Sequence, residues 1–475
     1  MSVDHPPLHA SLATESAHRQ NANRPPLTPS DLLEVKSGIA GLVWPPVAKA
    51  ASAQLLALVQ WLDRSQWLDP ASIQAGQARQ LALLLKHFEE QSEWFLRRLQ
   101  GQGLTAGALG QSAQAFAQLP VLTRRELQLA GPDFHSRIVP EAHRPLARKQ
   151  TSGSTGETVL VYRTTLNQLF WMATTVREHL WHQRDPRGRL ALVRRSVSEP
   201  TQWPDWGAPV ASLFETGPSF GMPITTDTHE LIDWLQQVQP NYLLMFPSVL
   251  RDLLDKLPAG QSLPGLVQIR TISETLSDDL RVRTQERLGV TIADTYSCEE
   301  AGVIALQCPH SGLYHTMAEG LIVEVLAADG RPCQVGEVGR VVVTDLLNFA
   351  SPVIRYDVGD YAERGPVCSC GRGLPTLKRV MGRERNMVKL PDGRSYWPQT
   401  GFREFAAVAD IAQYQFVQKS VNLMEVRLVV RGDALTGHQE TALAEIISAA
   451  LKHRFDYRFV YFAGPLPKPP SGKFE

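Results

Sequence analysis

Residues 290–302 read VTIADTYSCEEAG. An apolar β run over 291–295 leads into an aromatic residue, Tyr296, then two acids and a glycine, Glu299, Glu300 and Gly302. Short apolar runs of the same kind lie upstream at 159–162, 190–193, 242–246 and 267–271, and segments of helical period at 168–182 and 228–239 fall between them. Strands alternating with helices at this spacing predict an α/β layered domain. Downstream, residues 320–345 carry two β runs flanking the turn Asp329-Gly330 and then a third run, which predicts an antiparallel meander. A smaller α+β unit begins near 383–386, with a hairpin around Asp392-Gly393, a helix over 439–452 and a strand over 457–462. Upstream of the α/β region, Leu55, Leu56, Val59 and Leu62, then Leu81, Leu84, Leu85 and Phe88, keep helical spacing. Residues 1–30 are rich in Pro, Ser, His and Asn without periodicity and read as a flexible tail.

The chain has 475 residues, too many for one ordinary compact domain. Lys plus Arg number 48 and Asp plus Glu 48, so the formal net charge is zero. A neutral chain has no global basic field for nucleic acid or anionic lipid, and no nucleic-acid partner is expected. Apolar residues make up 43%, enough for a large core, and no run is long enough to span a bilayer. The N-terminus lacks a basic-then-apolar leader. These features predict a soluble, cytoplasmic protein. Five cysteines, an odd and sparse count, argue against a disulfide framework.

Five motifs carry chemistry. Thr151-Ser152-Gly153-Ser154-Thr155-Gly156-Glu157-Thr158 places glycines, which let backbone amides approach an anion, among hydroxyl donors, and this suits the phosphates of a nucleotide. It is not a Walker loop, because no Gly-Lys-Ser/Thr follows. In the 294–302 string, an aromatic at a strand's end can stack on a purine, and a carboxylate four residues later can hold Mg²⁺, which takes oxygen ligands. Arg355-Tyr356-Asp357-Val358-Gly359-Asp360 offers an acid that can accept from ribose hydroxyls. Gly382-Arg383-Glu384-Arg385-Asn386 marks the boundary between the two units. Pro467-Lys468-Pro469-Pro470-Ser471-Gly472-Lys473 puts a lysine on a loop where it can reach a phosphate or carboxylate. Taken singly, each also fits an ordinary loop, turn or tail.

In this order and spacing the motifs resemble the adenylate-forming superfamily of acyl-CoA synthetases, adenylation domains and luciferases, and most of all its phenylacetate–CoA ligase-like members. The strings TSGSTGET, TISETLSDDL, TYSCEEAG, SPVIRYDVGDY, CSCGRGLP, MGRERNMVKLPDGRSYWP and PKPPSGK carry it across residues 151 to 473. The resemblance implies a large N-terminal α/β domain with a β-meander subdomain over 31–383 and a small mobile α+β lid over 384–475. It implies that a carboxylic acid and ATP form an acyl-adenylate with release of pyrophosphate, after which the small domain swings to admit a thiol. Thr151, Ser152, Gly153, Ser154, Thr155 and Gly156 match the phosphate loop. Ser273, Glu274 and Thr275 match the adenine-lining segment, and Tyr296 the stacking aromatic. Glu300 matches the Mg²⁺ ligand, Asp360 the ribose ligand, Arg383 the arginine before the hinge and Arg385 the hinge. Lys473 matches the lysine of the adenylation step, so Lys473, Glu300 and Arg383 are the expected catalytic residues. Glu299 stands where Ser or Thr is usual, Arg385 where many members carry Asp or Lys, and Pro391-Asp392-Gly393 lacks the usual Gly-rich form.

Coenzyme A is the expected acceptor; a carrier-protein thiol or an amine is the alternative, and a catalytically degenerate binding protein a second one. A homodimer stays open. Trp206, Phe214, Phe220, Met222, Tyr242 and Phe246 make an aromatic or apolar acid the expected substrate, although each also suits a core position. Separately, Cys308, Cys368 and Cys370 with His315, preferred over His310, would complete a tetrahedral Zn²⁺ site, although a C-x-C spacing is tighter than usual and buried thiols alone would also explain them.

Overall fold

In a computed structural model, the described residues are 35–151, 158–383, 387–393, 395–396, 405–451, 453–464 and 466. The strands are β1 (Ala147–Thr151), β2 (Val159–Arg163), β3 (Leu190–Arg194), β4 (Thr201–Trp203), β5 (Ser219–Pro223), β6 (Tyr242–Met245), β7 (Gln268–Ile272), β8 (Thr291–Cys298), β9 (Gly302–Gln307) and β10 (Tyr314–Thr316). They continue as β11 (Leu321–Leu326), β12 (Val338–Asp345), β13 (Tyr356–Arg364), β14 (Thr376–Arg383), β15 (Val388–Lys389), β16 (Ser395–Tyr396), β17 (Ile411–Gln418), β18 (Leu423–Val430) and β19 (Asp456–Tyr461). The chain is mixed α/β, as its sequence predicts. It divides into two compact units, one of residues 1–63, 172–272 and 281–294, the other of 64–171, 273–280 and 295–475. These units cut the chain at other points than the expected boundary at 383–384.

The first unit is a parallel sheet with helical crossovers. β3 pairs in parallel with both β5 and β6, β6 with β7, and β4 closes one edge antiparallel to β5. The crossover helix Thr228–Val238 starts where the Asp227 side chain accepts from the His229 amide at 2.8 Å. It buries Leu231, Ile232, Leu235 and Val238, one face at helical spacing, and stops at Gln239 in a left-handed conformation. Pro247 opens the next helix, Pro247–Lys256, at a position whose amide needs no partner.

The second unit holds the meander. β9 pairs antiparallel with β8 and β10, β10 with β14, and β14, β13, β12 and β11 follow in antiparallel succession. Of the two runs expected around Asp329-Gly330, the second shrinks to a single bridge, Leu326 to Pro332, and the third is β12. The core beneath includes Leu122, Val159, Tyr296, Ile304, Val341, Val343 and Tyr356. The helix Pro70–Gln91 is capped by Asp69 and buries Leu81, Leu84, Leu85 and Phe88. Ser92 ends that helix and caps the next, Glu93–Gly101, by accepting from the Phe95 amide.

Residues 388–459 carry a core of their own, which joins Val388, Met424, Val426 and Leu428 to Leu443, Ile447 and Leu451 of the helix Gly437–Leu451. Its sheet runs β17, β18, β19, the last pair parallel, and the expected hairpin is the β15–β16 pair. Among the described residues no helix is long and apolar enough to cross a membrane.

Candidate functional site

Three of the expected site residues meet where β8, β13 and β14 come together. Tyr296, on the last turn of β8 before Glu299, is buried, and its hydroxyl donates to Asp360 Oδ2 at 3.0 Å. The register of β13 and β14 sets Asp360 opposite Arg383, and Arg383 Nε lies 3.5 Å from Asp360 Oδ1. A bulge beside this pair, between Tyr361 and Ala362, twists the strands locally. Burial and the Asp360 carboxylate push the Tyr296 phenol well above its ordinary pKa, so it remains a donor.

Ser273, Glu274 and Thr275 follow β7. Ser273 takes φ 70°, a left-handed conformation that costs a non-glycine residue about 1 kcal/mol or more and tends to mark functional loops. Gly382, at φ 102°, lies against Thr275: a Cβ there would come within 2.9 Å of Thr275 Oγ1. Glycine thus lets the 273–275 segment close on the strand that carries Arg383.

The structure distinguishes the two adjacent acids. Glu299 is exposed, whereas Glu300 is buried. Glu300 Oε1 accepts from Arg124 Nη1 at 3.2 Å and from the Tyr356 hydroxyl at 3.1 Å. Both contacts fall on one oxygen, so Oε2 is the atom that could face a cation. The Tyr356 hydroxyl, fully buried and beside that carboxylate, is held well above its ordinary pKa. Arg124 reaches Glu300 because two features fix the 120–126 segment. The Leu122 amide donates to the Arg355 carbonyl at 2.7 Å, and a capping box between Thr123 and Glu126 starts the helix Arg124–Leu129. Arg355 is itself anchored by Glu324, at 3.0 and 3.1 Å.

Arg124 and Tyr356 are contacts that sequence reading leaves without a role. The Thr123-x-x-Glu126 box was visible, but it predicts only a helix start. That Arg124 then faces Glu300 depends on pairing across 176 residues of chain.

Thr151 ends β1, which pairs with β2 in the register Thr151 to Val159. Ser152, Gly153, Ser154, Thr155 and Gly156 lie outside the described residues, as do Arg385 and Lys473. Of the residues expected to line an acid pocket, Trp206, Phe214, Phe220, Met222, Tyr242 and Phe246 are all buried in the first unit. Trp206 and Tyr242 pack edge to face at 5.6 Å, and Trp206 Nε1 donates to the Gly188 carbonyl. These two are core residues with fixed partners.

Cys308, His315, Cys368 and Cys370 also come together, their donor atoms all within 4.8 Å of one another. His310 is exposed. Burial raises the Cys308 thiol, but hydrogen bonds from His315 and Ser311 outweigh it and bring the group down to about 5. Burial brings Cys368 up to about 11. All five cysteines are free.

No family model matches the chain. Phenylacetate–coenzyme A ligase of Pseudomonas putida is 24% identical over 168 residues, 34% of this chain and 38% of that enzyme. The enzyme of the same name from Thermus thermophilus is 24% identical over 198 residues, 40% of this chain and 44% of the relative. The chain thus matches about two-fifths of the length of these relatives. Among solved structures, 2-hydroxyisobutyryl-CoA ligase in its postadenylation state, in complex with 2-HIB-AMP, superposes with a TM-score of 0.64 at 18% identity, over 83% of this chain and 87% of that one. At that identity the likeness is one of fold. The chain shares the fold of 2-hydroxyisobutyryl-CoA ligase, and about a third to two-fifths of it is similar in sequence to phenylacetate–coenzyme A ligases.

Proposed function

We propose that the chain is an ATP- and Mg²⁺-dependent carboxylate ligase that activates an aryl or apolar acid as its acyl-adenylate and then forms the coenzyme A thioester. The observation that carries this reading is the Tyr296–Asp360–Arg383 cluster, with Glu300 buried four residues beyond Tyr296. Three motifs, the strings at 294–302, 355–360 and 382–386, supply these groups, in the order in which adenylate-forming enzymes carry them.

In this reading the Tyr296 ring stacks on adenine, and the hydrogen bond to Asp360 holds ring and carboxylate in fixed relation. Asp360 accepts from the ribose hydroxyls. Ser273, Glu274 and Thr275 border the base, and Thr151 with the 152–156 loop receives the leaving pyrophosphate. Glu300 would hold Mg²⁺ through Oε2, and the ion would offset the charge of the phosphates. Arg124 and Tyr356 fix the carboxylate so that this oxygen is presented. Arg383 ends β14 just before the expected hinge at Arg385, and residues 384–475, which have their own core, form the moving lid.

Asp360→Asn keeps the side chain's shape but weakens a charge-assisted hydrogen bond. Such bonds contribute about 1.5–3 kcal/mol, so KM for ATP should rise roughly 10- to 100-fold with little change in KM for the acid. Steady-state kinetics with each substrate varied in turn check this; an equal rise for the acid would remove Asp360 from the nucleotide site. A carboxylic-acid panel read by pyrophosphate release, with and without coenzyme A, tests the function itself. Acid-dependent release that coenzyme A accelerates, with an acyl-CoA product, supports the proposal. Release with no acyl-CoA moves the acceptor to a carrier-protein thiol or an amine.

A further inference from the structure

The geometry points to a structural zinc site built from Cys308, His315, Cys368 and Cys370, separate from the adenylation chemistry. Two tight turns deliver the ligands. After β9 the chain folds back so that the Cys308 amide donates to the Leu313 carbonyl at 2.7 Å and the Gly312 amide to the Cys308 carbonyl at 3.0 Å. This knuckle sets Cys308 beside His315 on β10. The β10–β14 pairing, His315 opposite Thr376, then brings in the segment before β14. There Gly371, at φ 86°, donates to the Cys368 carbonyl and turns Cys368 and Cys370 the same way.

All four donor atoms lie within 4.8 Å of one another, and two of the pairs stand at the spacing of a metal's ligands. Tetrahedral zinc, with Zn–S near 2.3 Å and Zn–N near 2.0–2.1 Å, puts its ligand atoms about 3.3–3.8 Å apart. Cys368 Sγ and Cys308 Sγ are 3.8 Å apart, and Cys370 Sγ and His315 Nε2 are 3.3 Å apart. A disulfide would need sulfurs about 2.05 Å apart, so the two thiols are not one. His315 is fully buried, and its Nδ1 faces the Leu374 carbonyl at 3.3 Å. With the proton on Nδ1, the Nε2 lone pair would point into the cluster, as for a metal-bound imidazole oriented by a backbone carbonyl. Ser311 Oγ, 3.1 Å from Cys368 Sγ, can donate to a thiolate there. Cys308, His315 and Cys368 are buried and Cys370 is partly so, and their four donor atoms converge on one point. Four protein ligands leave no open position, which is the mark of a structural site.

The site's task can be read from what hangs on it. Between Cys370 and β14, Arg372 Nε donates to Gln66 Oε1 at 2.9 Å, and its guanidinium lies 5.0 Å from the Trp67 ring centroid. The Gly373 amide donates to the Gln66 carbonyl at 2.9 Å, and no Cβ could be placed at 373 against the Leu68 carbonyl. The metal thus fixes the 366–375 loop that clasps the corner at 66–69, between the helices Ala50–Ser65 and Pro70–Gln91. The assignment does not depend on the ligase activity.

The test is metal analysis of the full chain purified from zinc-replete medium, with about one zinc per chain expected. Exchange for Co²⁺ should give thiolate-to-cobalt charge-transfer absorption and the visible bands of a tetrahedral site. Cys370→Ser should lower the charge-transfer intensity by about a third, from three thiolates to two, and raise the apparent Kd for zinc at least about 100-fold, since even outer contacts affect metal affinity 10- to 100-fold. If that variant fails to fold, thiol titration of the unaltered protein serves instead: chelator should increase the reactive thiols by three. Absence of zinc after zinc-replete reconstitution, octahedral cobalt bands, or unchanged zinc in Cys370→Ser would overturn the assignment.

Discussion

Lys473→Ala is expected to lower acid-dependent pyrophosphate release by about 10²- to 10³-fold, the loss typical of removing one preorganised donor from a developing charge. The reason is electrostatic. A carboxylate must attack the α-phosphate of ATP, and both are anions. A lysine aimed at the reacting oxygens offsets that repulsion where it matters, in the transition state, and does little for substrate already bound. The substitution should therefore reduce kcat and kcat/KM together while KM for ATP changes little. Lys473→Arg should not restore the rate, because a planar fork does not occupy the position of a compact ammonium. If the lid carries Lys473 away after adenylation, the second half-reaction will not need it. Lys473→Ala supplied with preformed acyl-adenylate should then make thioester at nearly the normal rate. Loss of both half-reactions would place the lysine in general substrate binding.

Glu178→Gln is expected to destabilise the fold by about 3–5 kcal/mol, the cost of leaving buried charges without their partner. In the first unit, Glu178 Oε1 accepts from Arg184 Nη2 at 3.0 Å and from Arg270 Nε at 2.9 Å, and Arg270 makes a second contact with Oε2. All three side chains are more than nine-tenths buried. One carboxylate therefore offsets two guanidinium groups on the helix Thr165–Trp181, the turn after it and β7. Glutamine preserves volume but leaves two buried cations. Urea unfolding of the two proteins measures the difference, and a change below 1 kcal/mol would mean that water reaches the cluster.

The pH dependence has a defined sign. Burial works against the Glu178 carboxylate, but Arg270 and Arg184 hold its pKa well below 4.5. The pair's contribution is complete above pH 4.5, where the unfolded chain is ionised too, and is lost as pH falls below that value. His179 next to it stays neutral, since burial and the two arginines hold its pKa well below 6.5. Below pH 6.5 the unfolded chain takes up a proton that the native one refuses, so stability starts to fall there. In Glu178→Gln the loss below pH 4.5 should flatten.

The parallel strands were legible because they are buried on both faces and read as plain apolar runs. β1 was not: its sequence, Ala-Arg-Lys-Gln-Thr, has no apolar period, and it exists through its pairing with β2. β8 extends three residues past its apolar run because Tyr296, Ser297 and Cys298 pair with β9. The residue types of the Tyr296–Asp360–Arg383 cluster, and Glu300 beside Glu299, were singled out by order and spacing, but the register that sets Asp360 opposite Arg383 came only with the folded sheet. The cysteine quartet shows the same division. The residues could be nominated, yet Cys308 and Cys368 are 60 positions apart, and only the β10–β14 pairing brings them into one shell. The apolar residues at 206–246 carry two readings, since burial in a core and burial around a ligand leave the same trace in sequence.

Adenylation itself is tested most directly by acid-dependent exchange of labelled pyrophosphate into ATP in the presence of Mg²⁺ and without coenzyme A, because exchange requires a reversible acyl-adenylate and no acceptor. Label should enter ATP with at least one acid of an aryl and aliphatic panel, and should not do so without acid. An acid-dependent reaction that yields ADP and phosphate, with no label in ATP for any acid, would contradict the account.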